Sequence, residues 1–312
     1  MKIVILDGHA ANPGDLDWKA FEALGDVTVY EYSAPEQLSE RIKGMDAVLT
    51  NKSVITRELI EGAPELKYIG VLATGYNVVD LKAAAERGIP VTNVPAYSTR
   101  TVAQHVFALL LELTNRVGHH DAAVREGRWQ RNRDFCFWDY PLMELPGKTM
   151  GIIGLGQIGS ATAEIARAFG MRVIAASAHS REDFVVPMDQ LLAEADVVSL
   201  HCPLRADNAK FINAETIAKM KDGAILINTA RGGLVDEEAL RDALVSGKLS
   251  GAAVDVLTVE PPKDGSPLIG LENCIVTPHI AWASREARMR LMGVALENVK
   301  AFMRGERLNV VN

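Results

Sequence analysis

Three glycines near the middle of the chain, Gly154, Gly156 and Gly159, constrain its fold more than any other feature. They follow an apolar run at residues 150–153, at G-x-G-x-x-G spacing, and a helical pattern then continues to Gly170. A strand, a turn and a helix in this order are what a dinucleotide fingerprint requires. The first glycine permits a tight turn, the second lets the backbone approach a pyrophosphate, and the third lets the helix pack on the strand. The stretch therefore predicts a nucleotide site, and the alternative is a glycine turn that serves packing alone.

Length and composition limit the class of protein. With 312 residues, of which 48% are hydrophobic, the chain is long enough for two domains with sizeable cores. Its formal net charge of −7, without a Lys/Arg-rich run, argues against a nucleic-acid partner. The first apolar run ends at Asp7 and the longest later one at Glu112, so we expect neither a signal peptide nor a membrane span. The 3 cysteines are far apart and lack C-x-x-C spacing, so we expect a cytoplasmic protein with no disulfide and no metal.

Short β-rich runs alternate with helical patterns in both halves of the chain. They lie at residues 3–6, 27–32, 47–51, 68–73 and 91–94, and then at 150–153, 171–176, 197–202, 224–229, 252–257 and 274–277. This alternation predicts the α/β class, with two doubly wound parallel-sheet domains and ligand loops at the carboxyl ends of the strands. A last helix, about 284–304, begins after the second sheet is complete. We therefore expect one domain of residues 1–98 completed by 286–312, and a second of residues 99–285.

One long helix is expected to join the two domains. Ser98 can cap this helix, and an apolar stripe carries it to about Glu126. The stripe comprises Val102, Val106, Leu109, Leu110, Leu113 and Val117. After the helix, residues 129–146 are irregular and rich in aromatic side chains, which either cover a site or a partner surface or pack locally. Asn213 and Asp236 stand where N-caps of later helices are expected.

Three polar residues, Arg231, Glu260 and His279, stand just beyond the carboxyl ends of the late strands. In open α/β sheets such positions face the crevice that holds the reactive end of a cofactor. An imidazole beside a carboxylate is held in one tautomer and stabilised as the imidazolium, which suits a proton donor near neutral pH. An arginine fork matches a substrate carboxylate or carbonyl oxygen. Taken singly, each residue also fits a structural role, but their shared position behind the fingerprint favours a catalytic set.

Four stretches of the chain, in this order, resemble the D-isomer-specific 2-hydroxyacid dehydrogenases over essentially the full length. They are GLGQIG at 154–159, INTARGGLVDEEAL at 227–240, DVLTVEPP at 255–262 and TPHIAW at 277–282. The mid-chain position of the nucleotide domain is also similar to this family, and differs from L-lactate and malate dehydrogenases, where that domain comes first. The resemblance implies a Rossmann nucleotide domain and a flavodoxin-like substrate domain. It also implies the catalytic set Arg231, Glu260 and His279, with His279 as proton donor or acceptor and Glu260 raising its basicity.

The same resemblance implies binding residues. The turn at 73–77 is similar to the family's carboxylate-binding turn, in which the N–H groups of Thr74 and Gly75 form an anion nest. Lys52 and Trp138 are further implied substrate contacts. Besides the three glycines, the implied cofactor contacts are Thr101, Gln157, Ile158, His201, Pro203, Thr229, Ala230, Asp255, His279 and Ala281. Among these, Asp255 is placed near the nicotinamide amide, and His201 and Pro203 beside the adenine.

Within the family, residues 50–52, 68–80 and 135–140 look most like the bacterial glycerate dehydrogenases, also called hydroxypyruvate reductases. This branch implies hydride transfer between NAD(P)H and a small 2-keto acid, with hydroxypyruvate to D-glycerate favoured and glyoxylate also reduced. The alternatives are another D-2-hydroxy acid, or a nucleotide-sensing scaffold of the same fold. A formate dehydrogenase-like function is disfavoured because that branch lacks a glutamate at the position of Glu260. Since the chain ends at Asn312, we expect no added regulatory domain of the kind that many phosphoglycerate dehydrogenases carry.

A homodimer is expected from the breadth of the apolar stripe on the helix from Ser98 and from the resemblance to the family. The nucleotide domain and that helix would form the interface. In such a dimer we expect the aromatic loop with Trp138 to reach the site of the neighbouring subunit.

The choice between NAD and NADP depends on a departure from the family pattern. NAD-using members end the second strand of the nucleotide domain with an aspartate that binds the ribose 2′-hydroxyl. Here that position is Ser177, and Arg181 follows closely. A carboxylate that would repel a 2′-phosphate is missing, and a guanidinium that matches one is near, which favours NADP over NAD. Glu182 and Asp183 leave a ribose contact open as the alternative.

Overall fold

The computed structural model describes residues 1–180 and 182–312. The chain folds into two compact units, Met1–Ser98 with Trp282–Asn312, and Thr99–Ala281. It thus returns to the first unit at residue 282, whereas the sequence pattern places the return at 286. Both units are parallel α/β structures, which confirms the predicted fold class.

The first unit contains a five-stranded parallel sheet. Its strands are β1 (Lys2–Ile5), β2 (Asp26–Val29), β3 (Ala47–Thr50), β4 (Tyr68–Val71) and β5 (Val91–Thr92). The spatial order β2-β1-β3-β4-β5 is the flavodoxin-like order. In register, Ile3 pairs with Val27 on one side and with Ala47 on the other. The order reverses between β1 and β3, so the residues just beyond these two strands lie at the position where ligands bind in such sheets.

Helices cover both faces of this sheet. They are α1 (Gly8–Ala11), α2 (Lys19–Glu22), α3 (Leu38–Ile42), α4 (Arg57–Glu61), α5 (Leu81–Glu86) and, from the end of the chain, α12 (Arg285–Met303), with a 3₁₀ turn at Pro35–Gln37. Successive strand residues point to opposite faces, so the sheet has two cores. One core contains Ile3, Ile5 and Leu49 together with Leu291 and Val299 of α12.

The apolar spacing of residues 16–24 predicts a helix over that range, and only residues 19–22 of it are helical. Asn12 Oδ1 accepts hydrogen bonds from the backbone N–H groups of Gly14 and Leu16, each at 3.0 Å. A side chain that binds the local backbone competes with the helix, so residues 12–18 form a loop and only Lys19–Glu22 is helical.

The second unit contains a six-stranded parallel sheet. Its strands are β6 (Thr149–Ile153), β7 (Arg172–Ala176), β8 (Val197–Leu200), β9 (Ala224–Asn228), β10 (Leu249–Val254) and β11 (Cys274–Val276), in the order β11-β10-β9-β8-β6-β7. Beyond β7, Val185 forms an isolated parallel bridge with Ala175. Counted as a third strand, this bridge completes the usual Rossmann order 3-2-1-4-5-6.

The described residues of the second unit form six helices. They are α6 (Thr99–Asn115), α7 (Val117–Arg125), α8 (Gln157–Ala168), α9 (Met188–Glu194), α10 (Ala214–Lys219) and α11 (Glu237–Val245), with 3₁₀ turns at Trp129–Arg131 and Gly232–Leu234. The capping predictions are confirmed, since Asn213 caps α10 and Asp236 caps α11 through side-chain hydrogen bonds. Ser284 caps α12 in the same way. Within the part of the chain that the structure describes, no helix has the length and apolar character needed to cross a bilayer.

The predicted single helix from Ser98 to Glu126 is two helices. Arg116 adopts a left-handed conformation with φ of +50° and separates α6 from α7. Just before the break, the hydroxyl of Thr114 donates to the carbonyl oxygen of Leu110 at 3.0 Å, an interaction that bends helices. Val117 and Gly118 then follow, and both have low helix propensity.

The apolar stripe of α6 is buried within the second unit. Val106, Leu110 and Leu113 form one core with Ile152 of β6 and Ile225 of β9. The part of the stripe on α6 therefore packs on its own sheet, so its breadth is no argument for a dimer interface, whereas Val117, the predicted last member, follows the break and is 63% exposed.

Candidate active site

The glycine turn after β6 has the geometry that each of its three positions predicts. Gly154 has φ of +99°, and a Cβ there would lie 2.6 Å from the backbone nitrogen of Cys202. A Cβ on Gly159 would lie 2.1 Å from the carbonyl oxygen of Gly154, so the helix packs directly on the turn. A Cβ on Gly156 would meet nothing within 4 Å. The middle glycine thus keeps the backbone open to a ligand, while the other two are required by packing.

Helix α8 begins at this turn without a side-chain cap. Gly156 is its N-cap residue and makes no side-chain hydrogen bond, so the first N–H groups of the helix face the open side of the turn. Gln157, the first helical residue, is exposed and accepts a hydrogen bond from Thr99 at the start of α6 at 3.4 Å. Ile158 is half-buried. Uncapped N–H groups at the positive end of a helix fit the pyrophosphate of a dinucleotide.

The residues implied beside the adenosine lie at the ends of β7 and β8. His201 is adjacent to the glycine turn, since a Cβ on Gly154 would also meet its backbone carbon at 2.7 Å. Burial lowers the pKa of His201 to about 4, so the ring is neutral near pH 7, and Nε2 lies 2.9 Å from the hydroxyl of Ser199. Pro203 is exposed and Ser177 is half-buried. Arg181 lies outside the described residues.

The three candidate catalytic residues all belong to the second unit and follow neighbouring strands. Arg231 lies just after β9, Glu260 after β10 and His279 after β11. The loops that carry them touch, because a Cβ on Gly232 would lie only 1.9 Å from the backbone carbon of Leu257. Glycine at 232 is therefore what lets the arginine loop approach the glutamate loop.

His279 and Glu260 form a direct pair. The Nδ1 atom of His279 lies 2.6 Å from Oε2 of Glu260, and both side chains are about one-third exposed. The second oxygen of Glu260, Oε1, accepts the backbone N–H of Leu257 at 3.0 Å, which fixes the carboxylate on its own loop. With Nδ1 occupied, the Nε2 atom of His279 is the one that can exchange a proton with a ligand.

The backbone of His279 is strained. Its φ of +53° lies in the left-handed region, which costs a residue other than glycine about 1–2 kcal/mol. Two hydrogen bonds hold it there, from its N–H to the carbonyl oxygens of Asp255 at 2.9 Å and Thr277 at 3.0 Å. The fold thus imposes the orientation of this side chain.

The structure places Asp255 beneath the loop that carries His279. Its side chain is fully buried, and its carboxylate accepts hydrogen bonds from the hydroxyl of Thr277 at 2.6 Å and from the N–H groups of Ile280 at 2.9 Å and Ala281 at 2.8 Å. Burial alone would raise the pKa of this carboxyl, yet the nearby His105 and the hydrogen bonds from Thr277 and the backbone outweigh it and lower the pKa. The carboxylate is therefore ionised and turned toward the loop.

Two further implied cofactor contacts follow β9. The N–H of Ala230 donates to Asn228 Oδ1 at 3.0 Å, which shapes the turn before Arg231. The hydroxyl of Thr229 is buried and has no hydrogen-bond partner among residues 1–180 and 182–312. Arg231 is exposed, and its Nη1 donates to the carbonyl oxygen of Ala230 at 2.7 Å. Thr101 is half-buried on the first turns of α6.

The implied carboxylate-binding turn belongs to the first unit. Thr74 is exposed, its hydroxyl donates to the carbonyl oxygen of Val94 at 2.9 Å, and its own carbonyl accepts from Asn93 Nδ2 at 2.8 Å. These bonds hold the turn against the segment that follows β5. Within the described residues, the N–H groups of Thr74 and Gly75 make no hydrogen bond, as an anion nest requires.

Lys52 lies in a loop whose backbone N–H groups bind a buried carboxylate. Asp7, just beyond β1, accepts the N–H groups of Asn51 at 2.7 Å, Lys52 at 2.5 Å and Ser53 at 2.7 Å. Lys52 itself is exposed. Asp7 also stands at a strand's carboxyl end, the signal that identifies Arg231 and His279, but the contacts of its carboxylate are those that shape the loop of Lys52.

The aromatic loop is an ordered network that leaves two large side chains in solvent. Asp139 binds Arg128 through two hydrogen bonds and His119 through one at 2.6 Å, and these partners hold the pKa of its carboxyl well below its usual range. Phe135 is 89% exposed and Trp138 is 64% exposed. Phe137 and Tyr140 thus pack locally on the rings of His120 and His119, whereas Phe135 and Trp138 present apolar surface.

The chemistry that these residues can support is proton transfer beside a bound nucleotide. The open glycine turn, the uncapped helix and the buried hydroxyl of Thr229 all fit a dinucleotide, and the His279–Glu260 pair fits acid–base work. Among the described residues, no group of three or more His, Cys, Asp or Glu side chains is arranged to hold a metal ion.

Comparisons with known proteins agree with this geometry. Residues 107–281 match the family model described as D-isomer specific 2-hydroxyacid dehydrogenase, NAD binding domain. A hydroxypyruvate reductase from Blautia hydrogenotrophica is 51% identical over an alignment of 321 residues that covers 100% of both chains. A glycerate dehydrogenase from Methylorubrum extorquens is 42% identical, covering 99% of this chain and 98% of the relative. The solved structure of an acyclic imino acid reductase in complex with NADPH and D-Arg is 34% identical, with a TM-score of 0.86 and 100% of both chains covered. The chain therefore belongs to the D-isomer specific 2-hydroxyacid dehydrogenases, and it is an oxidoreductase whose second unit is the NAD(P)-binding domain.

Proposed function

We propose that this enzyme reduces hydroxypyruvate to D-glycerate, reversibly, and also reduces glyoxylate. The observation that carries the proposal is the 2.6 Å contact between His279 and Glu260, next to the loop of Arg231. The names of the relatives from Blautia hydrogenotrophica and Methylorubrum extorquens support this choice of substrate.

The protein residues supply proton transfer and substrate orientation. When bound, the nicotinamide cofactor supplies the hydride. His279 donates a proton from Nε2 to the keto oxygen, and the carboxylate of Glu260 stabilises the imidazolium through Nδ1. The guanidinium of Arg231 hydrogen-bonds a substrate oxygen and polarises it. In the first unit, the Thr74 and Gly75 N–H groups and Lys52 are the proposed contacts for the substrate carboxylate.

The test is a cofactor-oxidation assay with hydroxypyruvate, glyoxylate, pyruvate and 3-phosphohydroxypyruvate. We expect the highest kcat/KM for hydroxypyruvate. His279→Gln should lower kcat by roughly 10²- to 10⁴-fold, the usual size of general acid catalysis. His9→Gln is the matched control, because His9 packs its ring on Tyr32 in the first unit. Glu260→Gln should also slow the reaction and alter its pH profile.

Two outcomes would contradict the proposal. Near-normal turnover in His279→Gln would remove the histidine from the mechanism. No turnover of any 2-keto acid by the wild type would favour the alternative, a nucleotide-sensing scaffold.

We also propose that NADP is preferred over NAD. The residue that follows β7 is Ser177, which carries no charge to repel a 2′-phosphate, and the similar imino acid reductase was solved with NADPH. Arg181 is the proposed phosphate contact. Arg181→Ala should lower kcat/KM for NADPH and leave kcat/KM for NADH unchanged. The lost transition-state binding free energy should be roughly 1.5–3 kcal/mol, the value of a hydrogen bond to a charged group. Ser177→Asp should shift preference toward NADH, and a wild type that strongly prefers NADH would exclude this proposal.

We propose that the enzyme is a homodimer whose interface includes the exposed aromatic loop. Trp129, Phe135, Trp138 and Leu142 are all more than half exposed, and clustered exposed apolar side chains mark interaction surfaces. In the dimer, Trp138 reaches the neighbouring subunit's site. Sedimentation should show a dimer at micromolar concentration that Phe135→Asp weakens, and a monomeric wild type would rule the dimer out.

A further inference from the structure

The carboxylate of Asp255 holds a loop, and the donors that it accepts lie on both sides of His279. The hydroxyl of Thr277 lies before the histidine, and the N–H groups of Ile280 and Ala281 lie after it, all within 2.9 Å of a carboxylate oxygen. The N–H of His279 itself donates to the backbone oxygen of Asp255. The left-handed backbone of His279 is therefore held by the backbone oxygens of Asp255 and Thr277, and the residues on either side of it are held by the carboxylate of Asp255.

The imidazole of His105, on α6, lies close to Thr277 and to the carboxylate of Asp255. The Nε2 atom of His105 lies 3.3 Å from the hydroxyl oxygen of Thr277 and 3.6 Å from Oδ1 of Asp255. The His105 side chain is 20% exposed and that of Asp255 is fully buried, so the contact is formed away from bulk water. Buried carboxylates need donors on most of their lone pairs, and this one receives three from the loop and a fourth contact from His105.

We propose that His105 is a positioning residue that fixes the loop of His279 through Thr277 and Asp255. Helix α6 is itself held in the core of the second unit by Val106 and Leu110, so it gives the loop a rigid support. The proposal rests on the proposed function, in which His279 is the proton donor. His105 does not touch the reacting atoms.

The first test compares two replacements of His105. His105→Leu removes the ring nitrogen, whereas His105→Gln places an amide donor at a similar reach. We expect kcat for hydroxypyruvate to fall about 10-fold in the leucine variant, since displacements of 1 Å or less at reacting groups cost up to 10²-fold. KM should stay within about 2-fold, and the glutamine variant should recover most of kcat. Gln104→Leu, an exposed neighbour on the same helix, is the matched control.

The second test asks whether His105 acts through Thr277. Thr277→Val removes the hydroxyl that both His105 and Asp255 contact. If the two residues act as one unit, the double variant loses no more than about 2-fold beyond the worse single variant. If the two residues acted independently, the fold-losses of kcat in the single variants would multiply in the double variant.

A third measurement needs no turnover. The chain has 7 histidines, so ¹³Cε1-labelled imidazole spectra are simple, and the His279 signal is the one that His279→Gln removes. We expect His105→Leu to shift or broaden this signal, and Gln104→Leu to leave it unchanged. If the leucine variant does not fold, His105→Asn, whose amide falls short of Thr277, takes its place against His105→Gln.

Unchanged kcat and an unchanged His279 signal in His105→Leu would overturn the proposal. The proposal would also be overturned if the losses in kcat of His105→Leu and Thr277→Val multiplied in the double variant while the His279 signal stayed unchanged. If the wild type fails to reduce hydroxypyruvate, the proposed function fails, and the imidazole spectrum alone then decides whether His105 positions His279.

Discussion

Two alanine substitutions in the glycine turn should have opposite effects, because the structure gives the two positions different surroundings. In Gly159→Ala the new Cβ would lie 2.1 Å from the carbonyl oxygen of Gly154, about 1 Å closer than such atoms tolerate, and the obstacle is backbone. Overpacking costs typically 1–3 kcal/mol, and we expect about 3 kcal/mol here. At about 2–4 °C per kcal/mol for a unit of this size, Tm should fall by roughly 6–12 °C.

Gly156→Ala should leave folding almost intact. Its Cβ would meet nothing within 4 Å, and its φ of −87° is accessible to alanine. The loss of glycine at an N-cap costs about 0.5–1 kcal/mol, so Tm should fall by roughly 4 °C at most. The new methyl group would narrow the open side of the turn, where we propose that the pyrophosphate binds. Losing a charged hydrogen bond worth about 1.5–3 kcal/mol should weaken NADPH binding by roughly 10- to 100-fold.

Thermal unfolding by circular dichroism and NADPH titration by fluorescence separate the two effects. The expected pattern is a stable Gly156→Ala that binds poorly and a destabilised Gly159→Ala. Normal NADPH affinity in Gly156→Ala would refute the assignment of the open glycine to the cofactor. A fully stable Gly159→Ala would refute the packing argument.

Three further outcomes follow from single contacts. Asn213→Ala removes a cap that accepts two N–H groups, and should cost about 1 kcal/mol, or roughly 2–4 °C in Tm. Arg288 holds the pKa of the Asp15 carboxyl below its usual value, so this pair stabilises the protein above about pH 4 and the contribution is lost as the pH falls further. The Tm difference between wild type and Asp15→Asn should therefore shrink in acid, and a constant difference would argue against the pair. Glu237 accepts the N–H of Thr258 at 2.7 Å beside the Glu260 loop, so Glu237→Ala should lower kcat more than it raises KM, with the reverse result counting against it.

The sequence alone was sufficient for the strands and for the loops that carry the chemistry. The apolar runs are long enough to define every named strand to within a few residues, because most of these strands are buried on both faces and only the edge strands β2 and β11 are more exposed. Arg231, Glu260 and His279 follow from a rule about strand ends, and the pairing of Glu260 with His279 follows from the neighbouring positions of β10 and β11.

Contacts made across the fold by helices were not accessible in this way. His105 stands three residues after Val102 on α6, at the edge of the apolar stripe, and that spacing shows only that it turns toward the sheet. That its ring meets Asp255, 150 residues later in the chain, depends on tertiary packing. The break at Arg116 is not predicted from the sequence for a related reason. The helical spacing of apolar residues continues across Arg116, although its backbone is left-handed.

The bridge at Val185 has a consequence for how cofactor choice can change. In a full Rossmann sheet the third strand is a ladder of hydrogen bonds, and insertions or charge changes before it would disturb the ladder. Here the described residues form a single bridge, in which the N–H of Ala175 donates to the carbonyl oxygen of Phe184 and the N–H of Val186 donates to that of Ala175. Among residues 177–180 and 182–183 the hydrogen bonds are local, as between the N–H of His179 and Ser177 Oγ and between the N–H of Glu182 and Ser180 Oγ. We expect the segment from Ser177 to this bridge to accept substitutions and length changes at little cost to stability, so that preference for one nucleotide over the other can drift while the catalytic end of the sheet stays the same.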